Sequence, residues 1–187
     1  MSSRYKIHDT AGMYYMTMSI VGWIDVFSRQ RYRDIVVESL RYCQKEKGLT
    51  LHAYVIMTNH IHIVASPKTG FNLVDIVRDF KKFTAKTIWE SIDKEPESRR
   101  EWLQYMFKYF AKYNTKDQVY QIWTHDNHPI ELWSQSVIAQ KINYIHQNPV
   151  RAGWVEYPEQ YIYSSASNYR DGKGIIDISI PDALFLL

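Results

Sequence analysis

MTNHIHIVAS, Met57 to Ser66, closes one apolar run and opens another. Leu51 to Met57 and Ile61 to Ser66 are separated only by Thr58, Asn59 and His60, so the two segments read as a β-hairpin with His60 at the start of its second strand. Side chains alternate faces along a strand, which puts His60 and His62 on one face with their imidazoles converging. That is the spacing of a metal-binding pair, in a strand that could be wholly aliphatic.

Outward from the hairpin, MYYMTMSIV, Met13 to Val21, is aromatic and β-branched and reads as a first strand. After a loop around Gly22 to Arg31, helical spacing of Ile35, Val36, Leu40 and Cys43 predicts a helix over Tyr32 to Glu46, with Gly48 as its stop. Asn72 is the expected cap of a long amphipathic helix with Leu73, Ile76, Val77, Phe80, Phe83 and Ile88 on one face and Arg78, Lys82 and Lys86 on the other. Asp93 to Glu101 reads as a solvated connection into an aromatic helix, Trp102 to Lys112. Tyr120 to Trp123 and Pro129 to Leu132 flank a polar turn, THDNH, as a strand pair. A last helix starts at Ser134 and runs to about Asn148, where Pro149 opposes continuation. Ile175 to Ile180 is strand-like. The order predicts an α+β fold, a ferredoxin-like antiparallel sheet with helices packed mainly on one face.

At 187 residues, with 45% hydrophobic content and only 7 Gly and 6 Pro, the chain is expected to form one domain over residues 1–187, its tail from 170 to 187 left without a packing assignment. The single cysteine, Cys43, excludes an internal disulfide and a cysteine zinc site, and fits a reducing compartment. MSSRYKIHDTAG lacks the apolar core of a signal peptide and no run is long enough for a membrane span, so the expected location is cytoplasmic, with no membrane partner. A net charge of +3 permits nucleic-acid binding, and 15 Tyr with 6 Trp offer faces on which bases can stack, although on composition alone filling the core is the better account of the aromatics.

In the helix SQSVIAQKINYIHQNPV, Ile138, Ile142 and Ile145 fall in one stripe at about 100° per residue. Tyr144 and Asn148, with Lys141, lie on a flank roughly 80 to 120° away. A phenol, an amide and an ammonium thus share one helix edge. Placed over the strand of His60 and His62, that edge would bring a nucleophile and a cation to a metal site.

His60-Ile61-His62 together with YIHQNPVRAGW, Tyr144 to Trp154, resembles the single-tyrosine HUH transposases; the latter run, with Tyr157-Pro and Tyr163-Ser-Ser-Ala166, resembles their REP-associated branch. The likeness spans roughly Met13 to Tyr169. It implies a ferredoxin-like fold, a magnesium or manganese ion, and a substrate of single-stranded DNA beside a hairpin. Position by position, it implies that Tyr144 is the nucleophile, that His60 and His62 are paired metal ligands, and that Asn148 is the third. Many insertion-sequence relatives carry Gln there, while the REP-associated branch has Asn. Some relatives are homodimers that exchange catalytic helices, whereas a monomer is the alternative in the REP-associated branch, so both a homodimer and a monomer stay open.

The chemistry suits these residue types. A divalent ion neutralises the nonbridging oxygens of a phosphodiester, and a phenolate leaves more readily than an alkoxide, which makes a phosphotyrosyl link reversible. The expected activity is cleavage and rejoining through a 5′-phosphotyrosyl intermediate. Arg78, Lys81, Lys82, Lys86, Lys141 and Arg151 are candidate DNA contacts. His125 and His128 fit a polar turn, and His146 is expected to face solvent or DNA. Two other readings stand beside this one: a catalytically inactive, domesticated hairpin-binding protein, and a hydrolytic nuclease that uses water in place of Tyr144.

Overall fold

The computed structural model describes Ile7, residues 9–112 and residues 118–181. Its first strand, β1 (Tyr14–Ser19), turns Tyr14, Met16 and Met18 into one core and Tyr15 toward the opposite face. Helix α1 (Gln30–Glu46) buries Tyr32, Val36, Val37, Leu40 and Cys43. It stops at Gly48, where φ is 69° and the Phe71 ring occupies the space a Cβ would need.

Strands β2 (Leu49–Ile56) and β3 (His60–Pro67) form the expected hairpin, closed by the Met57 N–H donating to the His60 carbonyl at 2.9 Å. A bulge between Leu51 and Ala53 inserts His52 as an extra residue. Leu49 and Leu51 before it and Tyr54 and Ile56 after it therefore all face the larger core.

Helix α2 (Leu73–Lys94) is capped by Asn72, whose Oδ1 accepts from the Val74 N–H at 2.8 Å. Its buried stripe departs from expectation at one position: Phe83 is 59% exposed and Thr84 is buried. The Thr84 hydroxyl accepts from the Trp123 indole N–H at 2.9 Å and donates to the Phe80 carbonyl at 2.8 Å. Since successive residues point about 100° apart, burying Thr84 turns Phe83 to the rim.

The connection that follows is not solvated throughout. The Glu97 carboxylate is fully enclosed by Arg29, Arg31, Arg99 and Tyr32. Helix α3 (Arg100–Ala111) then buries Leu103 and Phe107 and leaves Trp102, Tyr105 and Tyr109 exposed.

Strand β4 is only Ile130–Glu131, and Trp123 makes a single bridge to Ile20, so the expected strand pair is reduced to fragments along the β1 edge. The sheet order is β2-β3-β1-β4 with antiparallel neighbours, the ferredoxin-like arrangement. Helices α1, α2 and α3 pack in the larger core on one face.

The other face belongs to helix α4 (Gln135–Arg151), whose Ile138, Ile142 and Ile145 pack with Tyr15, Ala53, Val55 and Val64. Ser134 caps it, and it runs three residues past Asn148 with Pro149 inside. Pro149 has no N–H to give the Ile145 carbonyl, and only Val150 and Arg151 follow it in the helix before a C-terminal cap takes over. The Trp154 N–H reaches the Pro149 carbonyl at 3.0 Å, the Gly153 N–H reaches Val150 at 2.9 Å, and Gly153 is left-handed at φ 72°.

Beyond α4, Tyr163 to Ser165 runs along the outer edge of β2. The Ile56 N–H donates to the Tyr163 carbonyl and the Ser165 N–H to the Tyr54 carbonyl, both at 2.9 Å. A short helix, α5 (Ala166–Asp171), follows. Ile175 to Ile180 forms no strand, yet the Ser179 N–H donates to the Leu51 carbonyl at 2.9 Å and Ile176 is buried in the larger core. The tail thus packs on its own sheet as far as Pro181; its apolar end, 182–187, lies outside the described residues. No helix among the described residues is long and apolar enough to cross a membrane.

Candidate active site

Strand β3 presents His60 and His62 to the face that α4 covers. Their ring centroids lie 4.7 Å apart, and the Tyr144 ring lies 5.4 Å from His62. Tyr144 remains 36% exposed, so its ring borders both the histidines and solvent. Sheet and helix come from the same chain.

Each imidazole is oriented through Nδ1. His60 donates from Nδ1 to the Asn59 amide oxygen at 2.7 Å, which leaves Nε2 with its lone pair. His62 Nδ1 lies 2.8 Å from the Tyr15 hydroxyl and 2.9 Å from that of Thr17. The register explains the second contact, since Thr17 is directly opposite His62. Burial pushes the His62 pKa down to about 3, with the charges of His60 and Lys141 acting in the same direction, and burial also lowers His60. Both rings are therefore neutral at neutral pH, the form that binds a metal. Burial pushes the Tyr15 phenol up to about 12, so it stays a protonated hydroxyl.

Two cations border the phenols. Lys141 Nζ lies 4.8 Å from the Tyr15 ring centroid and 6.0 Å from that of Tyr144, and the Arg151 guanidinium carbon lies 5.4 Å from the Tyr144 ring. Asn148 donates from its amide nitrogen to the Tyr144 carbonyl at 2.7 Å, so its oxygen is the end left to coordinate. No group of three or more His, Cys, Asp or Glu suited to a metal occurs among the described residues. The donor set expected for an ion, two imidazole nitrogens and the Asn148 oxygen, would suit manganese and, with phosphate and water oxygens added, magnesium.

The basic residues of α2 stand on the other side of the sheet from this cluster. Arg78 is paired with Asp75 and Asp79, Lys86 faces Glu90 at 3.9 Å, and Lys82 is exposed. Lys81 departs from its expected place as a DNA contact: its ammonium turns inward and donates to the Thr124 carbonyl and the Asn127 side chain, both at 2.6 Å. Burial brings its pKa down to about 8, against the pull of Asp126. Its contacts fasten the 124–127 segment to α2. His128 stays in the polar turn, 3.7 Å from Asp126.

His146 is a correction. It faces neither solvent nor DNA; it is buried, with Nε2 2.9 Å from the Ser165 hydroxyl and its ring 4.9 Å from Tyr169. Burial pushes it down to about 4. The Tyr163 to Ala166 motif thus supplies the partner of His146. Tyr15, Thr17 and Asn59, which orient the histidines, were not among the expected site residues. Their signal in the sequence is faint: two polar tips on the outward face of β1 and an amide just before His60.

Paired histidines on a ferredoxin-like sheet, facing a tyrosine on a covering helix, are the arrangement expected of the single-tyrosine HUH transposases. The family model described as transposase, IS200-like, matches residues 24–124, more than half of the chain, and the chain belongs to that family. Membership places it among proteins that cut and rejoin DNA in transposition. The match includes His60 and His62 and ends before Tyr144. The fold is similar to that of a REP-associated tyrosine transposase solved bound to a REP hairpin, with a TM-score of 0.64 and 15% identity over 98% of this chain and 96% of that one. A provisionally assigned transposase from Deinococcus radiodurans has a TM-score of 0.45 and 14% identity over 77% of this chain and 96% of that one. No curated protein matches the chain in sequence.

Proposed function

We propose that the protein is a cytoplasmic transposase that cuts and rejoins single-stranded DNA beside a hairpin, with Tyr144 as nucleophile and a magnesium or manganese ion held by His60, His62 and Asn148. The observation that carries this reading is the 5.4 Å approach of the Tyr144 ring to His62, beside a second imidazole and two cations. The hairpin as substrate is supported by the solved relative that shares this fold and is bound to one.

When bound, the ion supplies charge neutralisation and orientation at the scissile phosphate. Neutral His60 and His62 would hold it through Nε2, with Nδ1 of each engaged by its own hydrogen-bonding partners. Tyr144 Oη attacks phosphorus: an O–P bond forms, the bond from phosphorus to the 3′ oxygen breaks, the phenol loses a proton and the leaving oxygen gains one. The product is a 5′-phosphotyrosyl link and a free 3′-hydroxyl, and attack by a 3′-hydroxyl reverses the step. Lys141 and Arg151 offset the negative charge that develops at Tyr144 and the phosphate. All these residues come from one chain, so the reading needs no second copy.

The test is a denaturing gel of the protein and of Tyr144→Phe, each incubated with end-labelled single-stranded DNA from the flanks of its own gene, with manganese or with chelator. The expected result is a manganese-dependent, protein-linked band that Tyr144→Phe lacks. Cleavage that survives Tyr144→Phe would assign the attack to water. DNA binding with neither cleavage nor adduct would favour the inactive hairpin-binding protein.

A further inference from the structure

Trp23 is 65% exposed, yet its ring centroid lies 5.6 Å from His60, inclined at 66°. A broad indole face is therefore left in water at the rim of the histidine pair. Trp133 is more exposed still, at 81%, but makes no ring contact with His60, His62 or Tyr144.

The backbone shows that this exposure is built in. Trp23 has a φ of 55°, a left-handed conformation that strains any residue with a side chain, and the preceding Gly22 is left-handed too at 61°. A Cβ on Gly22 would stand 2.5 Å from the Phe110 ring, so α3 closes directly over the turn. The Trp23 N–H donates to the Ile20 carbonyl at 3.2 Å, and its carbonyl accepts from the Asn59 amide at 3.2 Å. That same Asn59 accepts from His60 Nδ1. One amide thus ties the indole to the histidine, and the fold holds a strained residue without gaining burial for its side chain.

We propose that Trp23 is a stacking platform for one base of the single strand, the nucleotide beside the phosphate held at His60 and His62. The inference rests on the reading that single-stranded DNA lies at this site. A nucleobase matches the open face in shape and polarity, and stacking makes no demand for a particular base. The geometry also couples the two functions: the turn that presents the indole is fixed by the residue that fixes the His60 tautomer.

The test is binding of fluorescein-labelled single-stranded DNA from the flanks of its own gene, read by anisotropy in the Tyr144→Phe background so that the DNA stays intact. Each position is replaced in turn by an abasic site. Trp23→Ala is expected to weaken binding by about 5- to 150-fold, and Trp23→Tyr by much less. In the Trp23-containing protein, one abasic position should weaken binding comparably, and that penalty should vanish in Trp23→Ala. Equal melting temperatures across the variants exclude misfolding as the cause. The inference is overturned if Trp23→Ala binds within twofold of its parent, if its abasic profile is unchanged, or if the parent binds none of these strands. A protein-linked band in the gel together with normal binding by Trp23→Ala would sink this inference alone. A missing band with the Trp23 effect intact would sink the tyrosine mechanism and leave the platform.

Discussion

Two hydroxyls share one nitrogen of His62, so removing either is expected to cost less than removing both. Tyr15→Phe deletes the oxygen at 2.8 Å while keeping the ring that packs with Lys141 and Tyr144. Thr17→Val deletes the oxygen at 2.9 Å in a side chain of nearly the same shape. Losing the outer partner of a metal-binding histidine typically costs roughly 10- to 100-fold in metal affinity. Here each single variant retains the other hydroxyl. In Tyr15→Phe, moreover, the Thr17 hydroxyl is released from its 3.2 Å bond to Tyr15 and can serve His62 alone. Each single change should therefore weaken manganese binding by about 10-fold, about 1.4 kcal/mol, and the double variant by about 100-fold or more. Titration calorimetry of the DNA-free protein with manganese chloride at pH 7.5 measures this directly. A double variant that binds manganese as tightly as its parent would refute the idea that Nδ1 is the held nitrogen and Nε2 the ligand. A full 100-fold loss in either single variant would refute the shared role.

Three further outcomes are expected. Glu97→Ala should lower unfolding free energy by roughly 1 to 3 kcal/mol in urea titrations, because the buried Tyr32 hydroxyl and three part-exposed arginines lose their common acceptor; an unchanged free energy would contradict this. On acidification the unfolded chain takes up a proton near pH 6.5 that folded His146 resists to about pH 4, so its contribution, up to about 3 kcal/mol, is full above pH 6.5 and disappears as pH falls toward 4. The melting temperature should fall across that window and fall less in His146→Leu, and a flat profile in the parent would count against the buried neutral ring. Lys141→Ala and Arg151→Ala should each reduce the slope of log affinity against log salt for single-stranded DNA by about 0.7, while an unchanged slope would remove that residue from the phosphate path.

The features legible in the sequence are those whose cause is local. Asn72 caps its own helix, Gly48 ends one, and the two-residue spacing of His60 and His62 fixes their common face whatever surrounds them. Tyr144 was legible because a single helix places it off the isoleucine stripe. The expectations that fail depend on a distant partner. Lys81 is drawn inward by a loop more than forty residues on, His146 by Ser165, and Thr84 by the indole of Trp123. Glu97 looks like one charge in a charged run until α1 brings Arg29, Arg31 and Tyr32 against it. Pro149 is a helix breaker by type, and only the Gly153 cap beyond it shows that the last turn can absorb it.

The segment from Tyr163 to Ser165, with Ser179 farther along, has a consequence for self-association. These residues occupy the hydrogen-bonding groups along the outer side of β2, and the opposite margin of the sheet ends in a strand of only two residues. Among the described residues a neighbouring molecule finds no long open strand to extend, so the route by which many sheets aggregate or dimerise is largely closed there. The register of the histidine strand, paired on both sides within this sheet, is thereby shielded from a second copy's strands.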